Sequence, residues 1–132
     1  MRPKVLTVVA ALIEREGEVL ICQRKKGSSH ELKWEFPGGK VESGETPPQA
    51  LERELEEELG IRARIGPEME RYEFRYPQRQ PIELIFYRVL NFTGEVRNRV
   101  FEEIRWERRI KLPSYDFLDG DIDFVRRLVR LR

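Results

Sequence analysis

The alternation of apolar and polar residues predicts a strand hairpin at the start of the chain. Residues 5–13 are almost continuously apolar, which is typical of a buried strand, and residues 19–22 resume the apolar pattern. The Glu16-Gly17 pair between them is a turn signal, so the two strands are expected to pair as a hairpin. A polar loop over residues 25–33 and a Pro/Gly-rich turn over residues 34–39 are predicted to follow.

The clearest predicted element is a helix over residues 47–59. Thr46 suits the N-cap and Pro47 suits the first helical position, where its missing N–H is not needed. Gln49 completes a capping box with Thr46, and Gly60 suits the position that ends the helix. Three leucines recur every four residues and predict a core-facing stripe: Leu51, Leu55 and Leu59.

The rest of the chain alternates strand patterns with one more helix. Strands are predicted at residues 61–65, 71–76, 81–90 and 104–106, and an amphipathic helix is predicted at residues 121–131. Several strands and few helices indicate one α/β domain built on a mixed sheet.

Composition narrows the class of protein. The chain has 132 residues, the size of one domain, and its 25 basic and 24 acidic residues leave a net charge of +1. This balance favours neither a membrane nor a stable nucleic-acid partner, and the single cysteine, Cys22, excludes an intramolecular disulfide. The N-terminus resembles no secretion signal, so a cytoplasmic protein is expected. The protein is expected to be a monomer or a homodimer.

Balanced totals conceal an acidic segment. Residues 42–60 hold seven acids and one base, Arg53, for a local charge of −6. On the predicted helix, Glu54, Glu57 and Glu58 share one face, where two unit charges about 6 Å apart repel by roughly 3 kcal/mol at an effective dielectric of 20. A solvated acidic face would carry more Glu–Lys pairs, whereas clustered oxygen ligands suit Mg²⁺ or Mn²⁺ and the phosphates bound to it.

Residues 39–61, GKVESGETPPQALERELEEELGI, match a family motif in full. They resemble the Nudix box, G-x5-E-x7-R-E-U-x-E-E-x-G-U, where U is aliphatic. The stretch WEFPGGKVESGET, residues 34–46, is similar to the MutT-type branch of Nudix hydrolases. The resemblance implies an α/β/α sandwich with a mixed central sheet, in which residues 1–132 form one hydrolase domain and residues 39–61 form its box.

The resemblance also implies a reaction, the hydrolysis of a nucleoside triphosphate to monophosphate and pyrophosphate with Mg²⁺ or Mn²⁺. Metal ligands would be Glu54, Glu57, Glu58 and the Gly38 carbonyl, with Arg53 orienting the carboxylates and Glu45 supporting them. Glu54 would accept the proton of the attacking water or hold the metal that binds that water. A further acidic ligand is expected at the position of Val100, and Glu102 or Glu103 nearby would replace it.

Substrate contacts are expected outside the acidic helix. Arg24 and Lys40 would face the triphosphate or remain surface cations, and Gly39 would let the ligand approach closely. Phe36 resembles a residue of the nucleobase pocket, with core packing as the alternative. Asp121 would contact the edge of the base or, equally, cap the last helix.

An oxidised guanine nucleotide, 8-oxo-dGTP, is the expected substrate by this resemblance. CTP or dCTP is the rival, and a dinucleoside polyphosphate or an RNA 5′ end is a further alternative. A nucleic-acid-binding module without catalysis would instead use the arginines of the last helix. Of the remaining reactive side chains, His30 is expected at the surface and Cys22 as a buried free thiol.

Overall fold

The computed structural model describes residues 5–131, which form eight strands and two α-helices. In chain order they are β1 (Leu6–Leu12), β2 (Glu14–Arg15), β3 (Glu18–Gln23), β4 (Trp34–Glu35), β5 (Gly38–Lys40), α1 (Pro47–Leu59), β6 (Arg62–Phe74), β7 (Ile82–Thr93), β8 (Glu103–Arg108) and α2 (Ile122–Arg130). Two 3₁₀ helices, Arg109–Ser114 and Asp119–Asp121, precede α2.

The strands form two sheets of four. In the first, β1 runs parallel to β7 and antiparallel to β5, and β6 pairs antiparallel with the other edge of β7. In the second, β3 pairs antiparallel with β2 and β4 along one edge and with β8 along the other. The mixture of parallel and antiparallel pairs confirms the mixed sheet predicted from the sequence.

The hairpin prediction was wrong about which strands pair. Glu16 (φ 53°) and Gly17 (φ 80°) do form the turn, but it joins β3 to the two-residue strand β2. The long apolar strand β1 instead pairs with β5 and β7 in the other sheet. Periodicity identified the strand correctly, but pairing partners distant in sequence leave no mark on it.

Two other boundaries differ from the sequence prediction. The predicted turn over residues 34–39 contains β4 and β5, separated by Phe36 and Pro37. The two strands predicted within residues 61–76 are one strand, β6, whose pairing with β7 shifts register at three places. Bulges of this kind interrupt the polar–apolar alternation, which explains the apparent gap.

Alternating side chains of the strands create a core on each face. Val9 and Ala11 of β1 face α1, which packs Leu51, Leu55 and Leu59 against them. The neighbouring residues of β1 face the opposite way, towards α2. On that side the core contains these residues: Ala10, Leu12, Val19, Ile21, Leu84, Phe86, Phe124, Val125 and Leu128. Helices therefore cover both faces, which confirms the α/β/α sandwich.

Helix α1 begins and ends at the predicted residues. The Thr46 hydroxyl accepts a hydrogen bond from Gln49 N at 3.3 Å, and Thr46 N donates to Gln49 Oε1 at 2.9 Å, which completes the capping box. Gly60, at φ 69°, ends the helix with its N–H on the Glu56 carbonyl. No helix within residues 5–131 is long and apolar enough to cross a bilayer.

Candidate active site

Arg53 connects the acidic side chains around α1. Its guanidinium donates to both carboxylate oxygens of Glu45, at 2.7 and 3.0 Å, and to Glu54 at 2.9 Å. It also reaches Glu57 at 3.4 Å and the Lys40 carbonyl at 3.1 Å. The hydrogen bonds from Arg53 lower the pKa of Glu45 to about 2. Residues 42–60 hold one base for seven acids, and that one arginine connects α1 to the segment after β5.

Glu54 and Glu58 form a carboxylate pair on the side of α1 that faces β5. The Glu54 carboxylate lies against Gly39, where a Cβ would come within 2.5 Å of its carboxyl carbon. The carboxylate of Glu58 accepts a hydrogen bond from Gly38 N at 3.2 Å. Burial, together with the charges of Glu54 and Glu35, raises the pKa of Glu58 to about 9.

The chemistry of this pair fits a divalent cation. Two carboxylates held together away from water must share a proton or accept a cation, and oxygen ligands of this type suit Mg²⁺ or Mn²⁺. The third expected ligand, Glu57, has a side chain that is 60% exposed and faces Arg53. Within residues 5–131 no three Asp, Glu, His or Cys side chains converge into a preformed metal cluster. The Glu54–Glu58 pair is therefore the buried part of the candidate metal site.

The structure places Glu102 beside the loop that follows β3. Its carboxylate accepts a hydrogen bond from Lys26 N at 3.2 Å. Glu103, the other replacement considered, forms an ion pair with Arg105 at 2.5 Å. Val100, at the position where an acidic ligand was expected, lines the cavity described next.

A cavity of about 450 Å³, called here the central cavity, opens beside this pair. Its lining includes Glu58, Gly38, Gly39 and Lys40 from the α1 side of the molecule. It also includes residues from separate segments that meet there: Arg24, His30, Glu35, Phe36, Tyr76 and Asp121. All five residues expected to bind substrate, Arg24, Phe36, Gly39, Lys40 and Asp121, thus line one cavity.

Arg24 and Glu35 form an ion pair in the wall of the central cavity. The guanidinium of Arg24 donates to Glu35 Oε1 at 2.7 Å and to the Ser29 carbonyl at 2.7 Å. Burial nevertheless raises the pKa of Glu35, although Arg24 opposes the shift. Arg24 is therefore a fixed cation of the cavity wall rather than a solvated surface residue.

Asp121 is buried, and its side chain does not cap α2. Its backbone is helical and its carboxylate makes no capping hydrogen bond, so the capping alternative is wrong. Instead, Oδ2 accepts a hydrogen bond from Phe36 N at 3.3 Å. Burial and the charge of Glu35 raise the pKa of Asp121 to about 8.

Phe36 belongs to both the core and the cavity. Its ring stacks on Phe117, with centroids 5.3 Å apart, and contacts Phe124 edge-on at the same distance. It also lines the central cavity beside Asp121. The two interpretations of this residue from the sequence are therefore compatible.

Three cavity residues were missed as site residues by sequence reasoning: Glu35, His30 and Tyr76. His30 was expected at the surface and is exposed, but it lines the cavity, with its ring centroid 4.9 Å from that of Tyr76. Its φ of 54° is unusual for a non-glycine residue, but no sequence signal gives that angle. Cys22 is buried as a free thiol, as predicted.

Comparison with known proteins agrees with this geometry. The NUDIX domain model matches residues 3–128. An 8-oxo-dGTP diphosphatase of Haemophilus influenzae is 39% identical over 130 residues, covering 98% of this chain and 95% of the relative. A CTP pyrophosphohydrolase of Escherichia coli is 36% identical, with 98% of this chain and 95% of the relative covered. The crystal structure of a MutT protein from Methanosarcina mazei superposes with a TM-score of 0.85 at 27% identity, covering 98% of this chain and 96% of that one. The chain therefore belongs to the Nudix family and is a Nudix hydrolase.

Proposed function

We propose that this chain hydrolyses nucleoside triphosphates to monophosphate and pyrophosphate with Mg²⁺ or Mn²⁺, and that 8-oxo-dGTP is its preferred substrate. The observation that carries the proposal is the short segment 36–38. Phe36 N donates to Asp121 and Gly38 N donates to Glu58, so backbone groups only two residues apart contact the candidate base contact and the candidate metal ligand. We take residues 1–132 as one catalytic unit acting in the cytoplasm.

The hydrolytic side of the cavity is built on α1. Nudix hydrolases generally depend on divalent metals, and here Glu54, Glu57, Glu58 and the Gly38 carbonyl would hold them. The bound metal would neutralise phosphoryl oxygens and lower the pKa of the attacking water. Arg53 keeps the Glu54 carboxylate in place through its 2.9 Å hydrogen bond, so Glu54 is oriented to accept a proton from that water.

Two basic side chains of the cavity lining, Arg24 and Lys40, would supply positive charge to the phosphates. Arg24, already fixed by Glu35 and Ser29, and Lys40 both line the central cavity. A cation held in place by the protein loses little entropy when it binds a phosphate oxygen. Arg24 would therefore bind a phosphate without a rearrangement of the wall, and the exposed Lys40 would add a second, mobile cation.

The base side of the cavity would select the nucleotide. With its pKa raised to about 8, the carboxyl of Asp121 is mostly protonated at neutral pH and presents an O–H donor beside a C=O acceptor. A buried group of this kind favours a base whose edge supplies the complementary acceptor and donor, because a mismatched base leaves polar atoms unpaired. The amide edge of a guanine or oxidised guanine has that arrangement.

A cytosine nucleotide fits the same donor and acceptor pattern, which gives a second candidate substrate. The relative named CTP pyrophosphohydrolase is 36% identical over nearly its whole length, and a cytosine also offers one donor beside one acceptor. CTP or dCTP is therefore the alternative substrate.

The arginines of the last helix give the nucleic-acid-binding alternative little support. Arg127 is paired with Glu70, and Arg126 with Asp123 at 3.5 Å. Arg132, which follows the predicted helix and would belong to the same basic surface, lies outside the described residues. A charged surface already neutralised by its own acids attracts phosphate backbones weakly.

The deciding experiment measures, with Mg²⁺, the release of pyrophosphate from 8-oxo-dGTP, dGTP, dCTP and CTP, and the release of nucleoside monophosphate from a dinucleoside polyphosphate. We expect 8-oxo-dGTP to give a kcat/KM at least about tenfold above the others, equivalent to roughly 1.4 kcal/mol. A stronger response to CTP or dCTP would select the alternative substrate.

Glu57→Gln and Glu58→Gln are the inactive controls. Each removes a candidate ligand while keeping the side-chain shape, so turnover is expected to fall by orders of magnitude in a folded protein. Wild-type release no greater than that of Glu57→Gln, together with salt-sensitive RNA binding, would contradict the enzymatic proposal and favour the binding module.

A further inference from the structure

Two tyrosines hold the peptide groups on both sides of Gly120. Tyr72, in β6, donates its hydroxyl proton to the Gly120 carbonyl at 2.6 Å. Tyr76, two residues beyond the end of β6, accepts a hydrogen bond from Gly120 N at 3.0 Å. A strand more than 40 residues earlier in the chain thus fixes the short 3₁₀ turn Asp119–Asp121.

The fit of this turn against the tyrosines is close. A Cβ at Gly120 would lie 2.9 Å from Tyr76 Oη and 3.1 Å from a methyl carbon of Leu84, so only glycine permits this approach without movement. Asp121 N also donates to the Leu118 carbonyl at 2.9 Å. Both groups of the peptide between Gly120 and Asp121 are therefore held, the carbonyl by Tyr72 and the N–H by Leu118.

The Asp121 side chain depends on this backbone for its direction. Within residues 5–131 its only hydrogen bond is the 3.3 Å contact from Phe36 N, long for a bond to a carboxylate. The side chain is buried and lines the central cavity, so a small rotation of its peptide would move the carboxyl relative to a bound ligand.

We propose that Tyr72 and Tyr76 are positioning residues that determine nucleobase selectivity, because together they fix the turn that presents Asp121 to the central cavity. This inference rests on the proposed function, since it assigns Asp121 the recognition of the base. Neither tyrosine belongs to the box or to the segment at residues 34–46.

Tyr76 also has a hydrogen-bond donor to spare. Its oxygen accepts from Gly120 N, and among the described residues its hydroxyl proton has no protein acceptor. Because Tyr76 lines the central cavity, that proton is available to an acceptor on the ligand. Loss of this hydroxyl should therefore affect selectivity more than loss of the Tyr72 hydroxyl, whose proton is already donated to the Gly120 carbonyl.

The test compares Tyr72→Phe and Tyr76→Phe with the wild type in the presence of Mg²⁺. Each substitution keeps the ring and removes one hydroxyl. We expect the ratio of kcat/KM between the best and the poorest nucleotide of the panel to fall by about tenfold in Tyr76→Phe and by less in Tyr72→Phe. If the two tyrosines act on nucleobase selection, the best nucleotide should lose more of its kcat/KM than the poorest in both variants.

Tyr115→Phe is the matched control. The Tyr115 hydroxyl also has two partners, Arg105 and Glu107, but Tyr115 does not line the central cavity. The nucleotide selectivity of the Tyr115→Phe variant should therefore equal that of the wild type. The amide resonances of Gly120 and Asp121, measured by NMR, should shift in the two cavity variants and not in this control.

Three results would overturn the inference. They are a selectivity ratio in Tyr76→Phe that stays within about twofold of wild type, an equal loss of activity on every nucleotide, and a wild type without nucleobase preference. A wild type that releases no pyrophosphate from any nucleotide would refute the proposed function itself, which separates that failure from the failure of the tyrosine inference.

Discussion

At the scale of single residues, the adjacent glycines of β5 have different reasons to be glycine. Neither has a positive φ, so backbone conformation is not the reason. A Cβ at Gly38 would lie 1.9 Å from the backbone carbonyl oxygen of Val9 in the paired strand. A Cβ at Gly39 would meet the end of the Glu54 side chain instead. The first glycine therefore permits the sheet, and the second permits the carboxylate pair.

Substitution of these two glycines should separate folding from activity. Gly38→Ala must displace backbone, so we expect it to lower the free energy of unfolding by about 3 kcal/mol or more, measured by urea denaturation. Gly39→Ala displaces only the flexible end of Glu54, so the fold should persist while kcat falls by about a hundredfold or more. Equal losses of stability in the two variants would contradict this division.

Asp121 predicts a pH dependence of stability. Its pKa in the folded protein is about 8, well above its ordinary value, because it is buried near Glu35. Between the ordinary and the raised pKa the folded state holds a proton that the unfolded state has lost, so the free energy of unfolding falls as pH rises through that window.

The measurement compares wild type with Asp121→Asn, whose amide does not titrate. Relative to this variant, we expect wild-type stability to fall by about 3 kcal/mol between pH 5 and pH 7.5, and by at most roughly 1.4 kcal/mol per pH unit. Urea midpoints in metal-free buffer give the result. Parallel pH profiles would show that Asp121 keeps its ordinary pKa.

At the scale of elements, helix α1 ends in a concentration of negative charge. Glu56, Glu57 and Glu58 precede Gly60 with no basic residue in the last turn, where the helix dipole already disfavours anions. Arg99, in the loop before β8, supplies a positive charge and two hydrogen bonds to this end of the helix. Arg99 donates its side chain to the Glu56 carbonyl at 3.0 Å and its backbone N–H to the Glu58 carbonyl at 3.1 Å.

Arg99→Ala should therefore destabilise the protein by about 1 kcal/mol, since it removes the side-chain hydrogen bond to the Glu56 carbonyl and a cation from beside three acids. Arg97→Ala is the matched control. The Arg97 side chain is 68% exposed and forms only a 3.5 Å ion pair with Glu95, so its loss should change stability by less than about 0.5 kcal/mol. If the urea midpoints of Arg99→Ala and Arg97→Ala fell by the same amount, the loss would come from removing a positive charge and not from the contact of Arg99 with the helix end.

The elements show why sequence predicted some features and not others. The bounds of α1 were predictable because its capping box, leucine stripe and final glycine all lie within 15 consecutive residues. The short strands β2, β4 and β5 were not, because two or three residues acquire their conformation from partners elsewhere in the chain. For the same reason the sequence did not indicate that Glu35 and Tyr76 line the central cavity, because their position there depends on tertiary contacts.

At the scale of the whole molecule, binding of Mg²⁺ and nucleotide should raise the thermal stability of the protein. The repulsion between Glu54 and Glu58 is a cost that a divalent cation would remove, so we expect Mg²⁺ to raise the Tm by mass action. The rise should be larger when a non-hydrolysable nucleotide is added. Differential scanning fluorimetry gives the measurement, and chelation should reverse the shift.

Glu58→Gln serves as the reference for this measurement. The substitution relieves the repulsion without a metal, so its metal-free Tm should equal or exceed that of wild type, and Mg²⁺ should raise it less. A large loss of metal-free stability in Glu58→Gln would instead mean that this carboxylate has a structural role.

The central cavity draws its two functions from different layers of the sandwich. Glu58 belongs to the helix on one face, whereas the turn carrying Asp121 leads into the helix on the other. Segment 36–38 contacts both. We therefore expect mutations in the turn and its tyrosines to leave the phosphate chemistry intact, so that a lineage of such enzymes could exchange one nucleobase for another while keeping a single way of cutting the phosphate chain.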